Sequence, residues 1–85
     1  MIERILVQKG ISGENAKRVI IFYRAISAVT HAQKARVGAT HEDISRYFVK
    51  NHIHYNSDEI SKFLQFMKTH GLVVIRDKNY WFTVY

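Results

Sequence analysis

Residues 57–85, SDEISKFLQFMKTHGLVVIRDKNYWFTVY, change their repeat partway along, and that change sets the fold class. Ile60, Phe63, Leu64 and Met67 recur at spacings of three and four, so residues 57–70 read as a helix with one apolar side. Asn56 and Ser57 are both good starters for it. Gly71 stops the helix, and Leu72 folds back as the apolar contact of its end. Residues 73–76 and 80–85 are rich in β-branched and aromatic side chains, which predicts a hairpin joined by Asp77, Lys78 and Asn79. A helix running straight into a hairpin belongs to the α+β class. The outward side of the helix and the tip of the ribbon are both polar. The segment is therefore either an ordinary packed corner or a probe aimed at a partner.

The rest of the chain is helical in pattern. Residues 1–11 form an N-terminal extension in which Ile2, Ile5 and Leu6 share one helical side before Gly10 ends the turn. Ser12 can cap a long helix over 13–34. That helix is apolar nearly all round, which is the signature of burial on more than one side. Val19, Phe22, Ile26 and Val29 make one stripe, and Ile21, Ala25, Ala28 and Ala32 make a second, mostly of small residues. The second stripe suits close approach by the same helix of another subunit, or else residues 2–9 fold back over it. Arg36 to Ala39 reads as a brief strand around Val37. A helix over 40–50 follows, with Thr40 and Asp43 at capping-box spacing and Ile44, Tyr47 and Phe48 on its apolar side.

With 85 residues the chain makes one small domain, burying roughly 60–65% of the surface its unfolded form exposes. A hydrophobic share of 47% with 13% aromatics argues against disorder. A formal charge of +6 favours polyanions or acidic surfaces as partners. The absence of cysteine removes disulfides, thiolate metal sites and cysteine nucleophiles, and suits a reducing interior. No apolar run approaches the ~20 residues that span a bilayer. The N-terminal stretch MIERILVQKG carries Glu3 and has no long apolar core, so it does not read as a secretion signal. The expected location is the cytoplasm.

The element order is helix, short strand, helix, turn, helix, strand, strand, and it resembles the winged helix-turn-helix. Ile60, Leu64, Met67, Gly71 and Leu72 are similar to that superfamily's V-x-x-x-L-x-x-L-x-x-x-G-L-[IV] pattern, and Thr40, Asp43 and Ile44 to its G-x-[VT]-T-x-x-[ED]-[IL] pattern. The likeness covers about residues 16–85. It is nearest in kind to small dimeric repressors of the antibiotic-resistance and arsenic-sensor type, or to small crenarchaeal-virus winged-helix proteins. It implies a three-helix core with a C-terminal wing, and a homodimer that binds double-stranded DNA and regulates transcription.

The chemistry of the outward residues fits that expectation. A major groove admits one α-helix. Opposite Ile60 and Met67, the third helix carries Asp58, Lys62, Gln65 and Thr69, flanked by Ser61 and Lys68, and Ser57, Ser61, Lys62, Gln65 and Thr69 are the base-reading candidates. Gln can bond adenine through two atoms, Lys can bond guanine, and Ser or Thr can bond bases or phosphates. Thr40, His41, Arg46 and Lys68 are the candidates for the DNA backbone, and Arg76, Lys78 and Asn79 for the wing. Ile21, Ala25, Ala28 and Ala32 are the candidate dimer interface.

The charge balance tempers the reading. Lys62, Lys68, Arg76 and Lys78 stand against Asp58, Glu59 and Asp77, so the third helix and ribbon carry only +1, whereas residues 1–34 hold six bases and two acids. A winged-helix protein-protein adaptor, or an RNA- or ribosome-associated component, is the alternative. Phe66 lies off the buried stripe and is expected to pack. The aromatics at 80, 81, 82 and 85 invite a base-stacking role, but one strand side must cover the core. Five histidines (31, 41, 52, 54 and 70) show neither HExxH nor H-x-x-x-H spacing. No phosphate-cradling glycine loop, no nucleophile elbow and no close acid pair on one helical side with a histidine nearby is present, so no enzyme, cofactor, metal or small-molecule ligand is implied.

Overall fold

The computed structural model describes residues 2–35 and 37–82. The chain is α+β. Its elements are α1 (Ile2–Gln8), α2 (Gly13–His31), β1 (Ala39–Thr40), α3 (His41–Lys50), α4 (Ser57–Thr69), β2 (Val73–Arg76) and β3 (Asn79–Phe82). The strands form one antiparallel sheet in the order β1-β3-β2.

Local chemistry explains the helix ends. Thr40 caps α3 by a reciprocal pair of bonds: its hydroxyl accepts from the Asp43 amide at 3.1 Å, and the Asp43 carboxylate accepts from the Thr40 amide at 3.1 Å. Asn56 does the same for α4 with Glu59, so Asn56 is the cap and Ser57 the first helical residue. At the far end of α4, the Leu72 amide donates to the Met67 carbonyl and the Gly71 amide to the Lys68 carbonyl, at 2.9 and 3.0 Å. Gly71 sits at φ +71°. These are the paired bonds of a Schellman ending, and they turn Leu72 inward to full burial.

The core gathers around Phe22 of α2. Its ring meets Phe48 of α3 at 5.0 Å, Phe63 of α4 at 4.8 Å and Tyr55 of the connecting turn at 5.6 Å. Ile26, Ile44, Ile60, Leu64, Met67 and Val73 complete it. No polar or charged side chain among the described residues is buried. Each large apolar side chain buried this way stabilises the fold by about 1.5–3 kcal/mol. Leu6 of α1 is buried, with Ile2 and Ile5 packed against the core beside it.

Several expectations need correction. Ala25 is not on a free stripe: it is 0% exposed, inside the core beside Phe22 and Ile26. Ile21 is half-buried against the same core, so Ile21, Ala25, Ala28 and Ala32 do not form one subunit-facing surface. Only Ala28 and Ala32 are exposed, so the N-terminal segment does not cover them either.

Helix α2 ends at His31, three residues early. The Gln33 side chain then accepts from the Val37 amide and donates to the Gly38 carbonyl, at 2.9 and 2.8 Å, which folds the chain toward the sheet. The short strand is Ala39–Thr40 rather than 36–39, because Gly38 at φ +94° interrupts any extended run before it. The hairpin turn is two residues, Asp77 and Lys78, both at positive φ, and Asn79 pairs with Arg76 as the first residue of β3. The positions Arg36 and Thr83 to Tyr85, expected in strands, lie outside the described residues.

Candidate nucleic-acid interface

Helix α4 divides cleanly by side. Ile60, Phe63, Leu64 and Met67 are buried, while Ser57, Ser61, Lys62, Gln65, Lys68 and Thr69 are exposed. Ser57, Ser61, Gln65 and Thr69 are spaced four apart and so lie in one row along the helix, with Lys62 and Lys68 flanking it. The row begins at the helix N-terminus, where the first amides and the helix dipole favour an anion nearby. Lys62 is not free: its ammonium lies 3.4 Å from the carboxylate of Asp58, one turn back. Both side chains are about four-fifths exposed, so the pair contributes little to stability and can open for a better partner.

The backbone candidates differ among themselves. The Thr40 hydroxyl oxygen already accepts from Asp43. His41 is half-buried, with Nε2 3.2 Å from the Ser57 carbonyl oxygen. Arg46 is exposed but paired with Glu42 at 3.2 Å and Asp43 at 4.0 Å. Lys68, Arg76 and Lys78 are exposed, and no acid among the described residues pairs with them. Asn79 is half-buried, its side-chain amide donating to the Asp77 carbonyl at 3.0 Å across the turn. The ribbon tip thus presents Arg76 and Lys78 on either side of the Asp77 carbonyl that Asn79 bonds.

The aromatic residues serve packing. Phe66 stacks on Phe63 at 5.1 Å and meets His70 at 4.2 Å. Phe82 is buried, edge-on to Tyr23 at 4.7 Å. Trp81 lies against the backbone at Gly38, whose missing Cβ would fall 2.9 Å from the indole nitrogen. Phe82 is buried and so not available for base stacking, whereas Tyr80 and Trp81 are half-buried; Tyr85 is outside the described residues.

Two features escaped the sequence. One is an open groove of about 570 Å³ between α2 and α3, floored by Ala28, Val29 and Ala32 and rimmed by Arg46, Tyr47 and Lys50. The other is the outer edge of β2, where Val74 and Ile75 are 44% and 43% exposed. Both depend on how distant elements sit together. The only local hint was that neither Val74 nor Ile75 carries charge.

Among the described residues no group of three or more histidine and acidic side chains is placed to hold a metal ion, and no helix is long and apolar enough to cross a membrane. Compared with protein-family models, with curated proteins and with solved structures, the chain matches none of them.

Proposed function

We propose that this chain is a winged helix-turn-helix protein that binds double-stranded DNA sequence-specifically and regulates transcription. Helix α4 would lie in the major groove, α3 would sit across the backbone, and the Arg76–Lys78 tip would touch the backbone or the minor groove. The observation that carries this reading is the two-sidedness of α4. Ser57, Ser61, Lys62, Gln65 and Thr69 are exposed on one side, while Ile60, Leu64 and Met67 anchor the other in the core. A helix braced from behind and unobstructed in front is what groove reading requires. As a homodimer, the protein would set two such helices ~34 Å apart over a pseudo-palindrome.

A second reading has its own support. Lys62 and Arg46 already sit beside Asp58, Glu42 and Asp43, an arrangement of mixed charge that suits a protein partner better than a phosphate backbone. Selection of bound sequences from random duplex DNA separates the two. A recovered motif supports the DNA reading, and recovery of random sequence rejects sequence-specific regulation.

A further inference from the structure

We propose that the groove between α2 and α3 is a docking surface for an acidic amphipathic helix of a partner protein. Its floor takes the apolar side of that helix, and Arg46 and Lys50 take carboxylates along one flank. Of these residues only Arg46 also figures in the DNA reading, so the two readings can fail separately.

The groove holds about 570 Å³, within the roughly 300–1,000 Å³ range of binding clefts. Its floor comes from α2 and the residue that ends it. Ala28 and Ala32 are exposed there and Val29 is half-buried. Ala28 and Ala32 stand four apart, so they fall in one row along the helix. Their side chains end at Cβ, and the distance between packed helices is set by the side chains at the contact, so a facing helix can come close. Covering such a floor gains free energy from buried apolar surface. A phosphate backbone, charged along its length, has no such surface to offer.

The polar groups of the rim decide the charge of the occupant. Asp43 is engaged: its carboxylate accepts from the Thr40 amide in the cap of α3, and its side chain is 27% exposed. The Gln33 side-chain oxygen accepts from the Val37 amide. The cations are the groups left over. Lys50 is exposed, and no acid among the described residues pairs with it. Arg46 gives one hydrogen bond, from Nη2 to Glu42, between side chains 73% and 83% exposed. A pair so exposed is weak and yields to a better-placed acid.

The two cations also fix the shape of the occupant. They lie four apart on the α3 side, about 6 Å along the helix axis. Carboxylates four apart on a facing helix repeat that spacing. The α2 side of the groove adds no charge. A helix with one apolar side and acids along one flank therefore matches floor and rim together, in the helix-in-groove manner. The chain's formal charge of +6 speeds encounter with such a partner.

Titration of the full nitrogen-15-labelled chain tests this with two synthetic peptides. One is an alanine-based helix with leucines along one side and glutamates four apart on its flank. The other carries lysines in place of the glutamates. The glutamate peptide should bind with Kd on the order of 0.1 mM and shift the amides of Ala28, Val29, Tyr47 and Lys50. The lysine peptide should bind about tenfold more weakly. Lys50→Glu should bring the two peptides close to parity. Lys9→Glu makes the same charge change at an exposed residue beside Gly71 and should leave the preference intact. Ala28→Gln lays a longer polar chain over the floor and should weaken the glutamate peptide about fivefold. Equal binding of the two peptides, shifts that saturate on another surface, or no saturable shift up to about 1 mM peptide would overturn the proposal. So would a wild-type dimer in sedimentation that Ala28→Gln abolishes, because a second copy would then hold the groove.

Discussion

His41 Nε2 lies 3.2 Å from the backbone carbonyl oxygen of Ser57, which ties the first residue of α3 to the first residue of α4. A carbonyl can only accept, so the imidazole donates from Nε2. Both residues directly follow a capping box, at Thr40 and at Asn56. The start of the proposed reading helix is thus held by its own cap and by a neighbour whose position is also capped. Thr40→Ala and Asn56→Ala should each cost about 0.5–2 kcal/mol by thermal or denaturant unfolding. Their effects should fall short of or exceed simple addition, because His41 couples the two sites. Strict additivity would show that the His41–Ser57 contact transmits nothing.

The two-sidedness of α4 makes a prediction about discrimination. Lys62→Ala and Gln65→Ala should each lose about 1–3 kcal/mol of preference for a selected sequence over random DNA. Lys78→Ala at the ribbon tip should weaken both alike and lower the salt slope by about 1. Quantitative binding titrations at several salt concentrations check this.

Gly38 is the most crowded of the four glycines. A Cβ there would lie 2.8 Å from the Tyr80 carbonyl oxygen, and its φ is +94°. Gly10 shares the positive φ but has open space around it. Gly38→Ala should therefore destabilise the fold by about 1–3 kcal/mol or more, and Gly10→Ala by clearly less. Comparing their melting temperatures separates steric clash from backbone strain.

His52 ends α3 at φ +58° where glycine is usual, with the Ile53 amide bonded to the Phe48 carbonyl at 2.8 Å beyond it. His52→Gly should relieve that strain and raise stability by about 0.5–1 kcal/mol. A loss of stability would mean that the imidazole makes a contribution larger than the strain.

What could be read from the sequence was local. Thr40 with Asp43, and Gly71 with Leu72, fix helix ends through neighbours three to five residues away, and the chain alone carries that information. The apolar side of α4 was legible for the same reason, since Ile60, Leu64 and Met67 report their own period. Ala25 was not legible. A helix with two apolar stripes does not say which one its domain covers, and Phe22 with Ile26 drew Ala25 inside. Gly38 was missed because its constraint comes from Tyr80 and Trp81, far along the chain. The turn was read one residue too long because Asp77 and Lys78 adopt positive φ without a glycine to announce it. On the candidate interface, the outward residues were legible but their partners were not fully weighed: Asp58 holds Lys62 at the common helical spacing of four.

The central claim is that α4 lies in the major groove. Methylation of a selected duplex by dimethyl sulfate tests it most directly, because guanine N7 opens to the major groove and adenine N3 to the minor. The account predicts that bound protein protects guanine N7 within the selected motif, and that Lys62→Ala removes part of that protection. Protection confined to adenine N3, or a bound complex whose guanine N7 atoms react as freely as in bare DNA, would contradict it.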